Sequence, residues 1–185
     1  MKKLIILLVI CMMYSCSSNK KSNMETKKFE FYTEYNQFYL SSVGKDFDTS
    51  KDDMESYQKD LDCRLGIEKG AVVIFTQSYG NIKGEIEVLK EASNKTDFHK
   101  YDHVVEGGIE VKSGELQLLD CPTSEIQLSF SLKPGKYRMR VYCSNFKSVK
   151  EPDLTHDSDD DYYRIEMWPS NDMKRKVLKQ YKSYQ

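Results

Sequence analysis

What this chain lacks narrows its function first. It has no GxSxG elbow, no phosphate-cradling glycine loop and no HExxH pair, the local signatures of serine hydrolases, nucleotide hydrolases and zinc proteases. No CxxC or other paired spacing of metal ligands occurs, which argues against a structural zinc site. Histidine is scarce, with three residues in all. His99 and His103 are four apart, a zinc spacing only on a helix, and the sequence Asp102-His103-Val104-Val105-Glu106 enters a strand instead. They are expected to be a turn residue and a strand-entry residue, with His156 solvated beside an acidic loop. Cys121-Pro122 with a distant histidine makes no catalytic pair by any local signature. Internal repeats and long low-complexity stretches are missing too. Together these absences shift the weight from catalysis to binding. Neither a metal nor a cofactor is expected.

Long apolar runs are also missing, with one short exception. Leu4 to Met13 is nearly all apolar, about half the ~20 residues that a spanning helix needs. It follows Met1-Lys2-Lys3 and is closed by Tyr14-Ser15-Cys16, then Ser17-Ser18-Asn19-Lys20-Lys21-Ser22-Asn23. That order of basic, apolar and small-residue segments is a secretory signal. Of the two cysteines here, Cys11 and Cys16, only Cys16 follows a small residue and precedes a polar tether. The arrangement resembles a bacterial lipoprotein signal, although Met13 and Tyr14 depart from its usual pattern; the alternative is an ordinary secretory signal cut nearby. On the lipoprotein reading, residues 1–15 are removed and Cys16 carries the lipid. Residues 16–28 form a flexible tether, and the acyl chains give stable membrane anchoring. Ser17 then implies the outer membrane, and the basic tether its periplasmic leaflet.

From Cys16 onward 170 residues remain, enough for one domain with a proper core. Without Lys2 and Lys3 that part has 26 basic and 29 acidic residues, a net of −3. Asp172 to Gln185 holds five basic residues and one acidic; the rest carries 21 against 28, or −7. An acidic body speaks against nucleic-acid binding, which needs clustered Lys and Arg, and suits a basic protein partner. Of the remaining cysteines, Cys143 falls in an apolar run and is expected to be a core thiol. An oxidising compartment would allow one bridge, for which Cys63–Cys121 is the guess.

Thirteen Tyr and eight Phe recur in period-two alternation along the body, the pattern of half-buried strands. Phe29, Phe31, Thr33 and Tyr35 alternate with Glu30, Tyr32 and Glu34. Ala71-Val72-Val73-Ile74-Phe75 is continuous, as in a strand covered on both faces, and Tyr137, Met139 and Val141 oppose Arg138 and Arg140. Eight or nine strands in one antiparallel β-sandwich are expected over residues 29–170. One helix is expected over Asp52–Leu61, with Met54, Tyr57 and Leu61 on one face. A basic helix is expected over 171–185, capped by Asn171 and striped by Met173, Val177, Leu178 and Tyr181. Its stripe should pack on the domain, the alternative being contact with an anionic membrane.

Asp157, Asp159 and Asp161 fit the first, third and fifth positions of a calcium loop, but Tyr162 and Trp168 replace its glycine and closing glutamate. A solvated acidic loop is the default, and an acidic surface aimed at a cationic groove is the functional reading. Carboxylates such as Glu106, Glu110 and Glu166 could form a glycosidase pair only if the fold brought two of them face to face.

Three stretches carry a resemblance: Tyr35-Asn36-Gln37-Phe38, Leu132 through Val141 with its Lys133-Pro134-Gly135-Lys136 turn, and Tyr162 through Pro169. Their order over residues 29–169 resembles the competence protein J group of small bacterial β-sandwich proteins, inhibitors of a competence-associated nuclease. The resemblance implies inhibition or immunity as the mode of action, with a toxin or nuclease as partner. The signal and basic tail are departures from the group, and no contact residues carry over. Asp157, Asp159, Asp160 and Asp161 are the candidate contact residues. The alternatives are an envelope- or carbohydrate-binding module, which would gather aromatics such as Tyr32, Tyr39 and Tyr163 on one sheet face, and a lipid-anchored hydrolase.

Overall fold

The structure, a computed structural model, describes residues 26–50 and 53–182. The signal segment, Cys16 and most of the tether lie outside the described residues. Among the described residues, eleven strands form two sheets, with one α-helix. The strands are β1 (Lys27–Thr33), β2 (Gln37–Ser41), β3 (Leu65–Glu68), β4 (Ala71–Phe75), β5 (Gly80–Val88), β6 (His103–Val111), β7 (Glu115–Leu119), β8 (Ile126–Ser131), β9 (Gly135–Ser144), β10 (Tyr162–Pro169) and β11 (Lys176–Lys179). The six-stranded sheet runs β1-β5-β10-β9-β6-β11 and the five-stranded sheet β3-β4-β2-β7-β8.

Two expectations are corrected here. The strands number eleven rather than eight or nine, and β10 runs parallel to β5, so the larger sheet is mixed. The chain leaves β5, crosses the outer face of that sheet as residues 89–102, and enters β6 level with the middle of β5 and parallel to it, since His103 lies opposite Cys143, Cys143 opposite Tyr163 and Tyr163 beside Gly84.

The core lies between the sheets. Phe29, Phe31, Ile82, Ile86, Met139, Val141 and Ile165 from one meet Phe38, Leu40, Val72, Ile74, Leu116 and Leu118 from the other. These are alternate residues of their strands, as a two-residue period requires. The run at 71–75 is buried on both faces, as expected. Val72 and Ile74 face the other sheet, while Val73 and Phe75 face outward under the helix α1 (Met54–Cys63).

That helix forms where Asp53 accepts a hydrogen bond from Ser56 N at 2.6 Å, and it stops where Arg64 adopts φ 54°. Of the three residues grouped on one face, Tyr57 and Leu61 pack on the sheet, while Met54 is solvent-exposed.

The expected C-terminal helix does not form. Residues 176–179 pair antiparallel with the edge of β6, Lys176 opposite Glu106 and Val177 opposite Val105, with a bulge before Lys179. Val177 joins the intersheet core and Leu178 the cluster of Tyr101, Val104 and Tyr142 on the outer face. Those opposite directions suit a strand and defeat a helix. Asn171 caps nothing; Asp172 Oδ1 accepts from Lys174 N at 3.1 Å in a local turn.

Candidate functional site

The outer face of the six-stranded sheet is not the solvated surface that Arg138 and Arg140 would suggest. Residues 89–102 and 170–182 cover it, and the charges beneath are ordered by strand register. Glu106, Arg140, Glu166 and Glu87 stand side by side on β6, β9, β10 and β5. Glu106 receives Arg138 Nε and Nη2 at 2.9 and 2.8 Å and Arg140 Nε at 2.7 Å. Arg138 also donates to the carbonyls of Asp172 and Lys174, both at 3.0 Å, fixing the tail across the sheet. Glu166, 1 % exposed, pairs with Lys95 and Arg164 and accepts from Tyr142 Oη at 2.6 Å. Burial alone would raise Glu166, but hydrogen bonds from Lys95, Tyr142 and Ser93 outweigh it and hold the carboxyl at about 2. Burial, followed by Glu166 itself, raises Tyr142 to about 12.

This arrangement is a paired lattice. Arg140 stands between Glu106 and Glu166, so the two carboxylates do not face each other across a pocket, and Glu110 is exposed and pairs with Lys112. The geometry of a glycosidase pair is therefore not present in these three residues.

The acidic loop divides. Asp157 and Asp160 are exposed and Asp159 half-buried. Asp160 pairs with Lys83 and accepts from Asn145 Nδ2 at 3.1 Å. Asp159 Oδ2 accepts from His156 N at 3.1 Å. Asp161, by contrast, is 1 % exposed. It accepts from Ser78 N at 3.0 Å, Ser78 Oγ at 2.6 Å, Gln77 N at 3.3 Å and Tyr163 Oη, pinning the β4–β5 turn to the start of β10. Asp161 is thus a scaffold residue, and the surface expected of four carboxylates is carried by three. Among the described residues no group of three His, Cys, Asp or Glu is placed to hold a metal ion.

The other sequence candidates fall into place in the scaffold. Tyr39 and Tyr163 are buried on different sheets, so they make no aromatic platform with exposed Tyr32. Cys63, Cys121 and Cys143 are all free, which overturns the Cys63–Cys121 pairing. Cys121 sits under Tyr39 Oη at 3.0 Å, and burial raises the Cys143 thiol to about 12, as a core thiol requires. His103 is fully buried. Its Nε2 donates to Cys63 O at 3.0 Å, and Nδ1 accepts from Tyr181 N at 3.2 Å. Burial lowers it to about 4, against the opposing effect of the Cys63 carbonyl. Sequence reading missed this role because the tail that supplies Tyr181 was read as a helix.

Two packed sheets with an acidic loop at one end define a β-sandwich. Two solved structures share the fold. ComJ from Bacillus subtilis, an inhibitor of the DNA-degrading activity of NucA, superposes with a TM-score of 0.57 at 18 % identity, over 79 % of this chain and 98 % of ComJ. The product of crocagin biosynthetic gene J gives 0.50 at 13 % identity, over 80 % of this chain and all of the other. At such identities the likeness is one of fold. No protein-family model matches the chain, and no curated protein does.

Proposed function

We propose that this chain is a lipid-anchored inhibitor or immunity-like module that binds a toxin or nuclease at the bacterial envelope, on the periplasmic side of the outer membrane. The observation that carries the reading is the fold shared with ComJ across nearly all of ComJ's length. The signal ending in Cys16 supplies the anchor and the compartment. In this reading the chain acts by occupying its target's surface rather than by chemistry of its own. Asp157, Asp159 and Asp160 present negative charge to a basic cleft, and such rim charges act mainly on the association rate.

The test is a pull-down with the full chain against secreted and envelope proteins of the same and neighbouring strains, followed by assay of each captured protein. A salt-sensitive partner whose activity falls on binding establishes the inhibitor. Retention on cell-wall or glycan material with no protein partner sinks it. Cys16→Ala, which removes the lipid site, is expected to move the protein from the membrane to the soluble fraction and to abolish labelling by radioactive palmitate.

A further inference from the structure

Three connections meet at one end of the sandwich: the β1–β2 turn, the β4–β5 turn and the acidic loop. Asn36 Nδ2 donates to Gln77 O at 3.3 Å and to Pro152 O at 2.8 Å, tying all three together. A Cβ placed on Gly80 would lie 2.6 Å from the Thr155 side chain, so the loop is seated directly on the start of β5. On this end sit Tyr32, Tyr35 and Leu154, exposed by 49, 64 and 56 %. The Tyr35 and Tyr79 rings meet edge-on, 6.5 Å apart at 64°.

Tyr35 is the unusual member. It has φ 57° and Asn36 has φ 52°, the two consecutive left-handed residues that Asn and Gly fill most readily. A bulky ring there is a costly choice, and exposure means that it gains little packing inside the chain. Glycine or asparagine would suit the turn better on stability alone. The charge here is mostly negative as well: besides buried Asp161, residues 150–161 hold five carboxylates and one lysine, and Glu34 stands in the same turn as Tyr35, against Lys83 paired with Asp160 and Arg64 held on Thr76 O and Gln77.

We infer that this end is the docking face for the chain's protein partner, with Tyr35 as its anchor, and that the partner presents an arginine-rich surface. The inference rests on the inhibitor reading above and adds where and by what chemistry the partner binds. Tyrosine buries a large, rigid area at low entropic cost and recurs among the residues that dominate interfaces. A guanidinium stacks on its ring while the surrounding carboxylates attract the charge. The edge-on ring pair offers no coplanar platform for a sugar. The face also lies at the Thr33 end of β1, roughly 20 Å from Lys27 by the ordinary rise of a strand.

The probe is an octa-arginine peptide titrated into the isotope-labelled full chain, with octa-lysine and a cell-wall oligosaccharide as comparisons. Expected are amide shifts centred on residues 34–36, 79 and 154, and binding weaker by about three- to fivefold in Tyr35→Asn, the exposed cation–π contribution. Octa-lysine should bind more weakly than octa-arginine. Tyr35→Asn suits the turn and should fold at least as well; Tyr32→Ser, on the exposed side of β1, is a second variant expected to weaken binding. Shifts confined to 157–160 and unchanged in Tyr35→Asn overturn the anchor. No peptide binding, or oligosaccharide binding at the same residues, overturns the partner chemistry. None of these results bears on whether the chain inhibits a target, which the assay of captured proteins decides.

Discussion

The four aspartates of the acidic loop show how one residue type serves two ends within five positions. Asp161→Asn keeps the shape of the side chain but turns one acceptor oxygen into a donor against Ser78, Gln77 and Tyr163, which all present hydrogens to it. Loss of buried hydrogen bonds to a charged group costs about 2–3 kcal/mol, and urea unfolding should show it. Asp157→Asn, at an exposed position, should change stability by less than about 0.5 kcal/mol and instead slow association with the partner at low salt. An unchanged association rate would remove Asp157 from the interface. Glu106 belongs with Asp161. Its replacement by alanine leaves the Arg138 and Arg140 guanidinia buried without their shared carboxylate, a loss of about 3–5 kcal/mol. A variant that melts like the parent would mean that water already reaches this lattice.

At the scale of elements, legibility followed the number of strands that decide a residue's fate. The runs at Phe29–Thr33, Ala71–Phe75 and Tyr137–Val141 carry their own period and were readable, as was α1, whose cap and stripe are local. The tail was not. Its apolar residues fit a helical stripe, and its strand state is imposed by the open edge of β6, which no local pattern announces. The buried outer face was hidden for the same reason: alternation told that Arg138 and Arg140 oppose Met139, but not that residues 89–102 return over them. Of the candidate site, the three surface acids Asp157, Asp159 and Asp160 were visible, whereas Tyr35 was legible as part of an alternating run and of one resemblance stretch but not as a left-handed turn residue. Removing residues 176–185 tests the edge argument. It strips β11, the Lys179 bonds to the carbonyls of Phe98, His99 and Tyr101, and the Tyr181–Phe146 ring contact. An uncovered edge is a template for pairing with another chain, so the truncated protein should self-associate, and β6 amides should lose exchange protection. A truncated chain that stays monomeric with β6 still protected would show that the tail merely rests on the sheet.

For the whole molecule, the join between helix, tail and sheet is held by His103, and it makes stability depend on pH. Its two bonds require a neutral ring, with a hydrogen on Nε2 and a lone pair on Nδ1. Unfolded, the ring titrates near 6.5; folded, it is held at about 4. Below 6.5 the unfolded chain therefore binds the extra proton, and stability falls as the pH drops from 6.5 toward 4. Above 6.5 the contribution is complete, and the loss between pH 7 and 5 is about 2 kcal/mol. Glu166 adds a second stage of the same sign: its carboxyl, at about 2 against an ordinary 4.5, withdraws its share as the pH falls below 4.5. Urea unfolding at pH 7, 6 and 5 isolates the histidine, because Glu166 is still ionised in both states over most of that range. His103→Gln can still donate to Cys63 O or accept from Tyr181 N without titrating in this window, so the variant should be less stable at pH 7 but nearly flat down to pH 5. A variant as pH-dependent as the parent would place the titrating group elsewhere and break the link between the tail's docking and the ring's protonation.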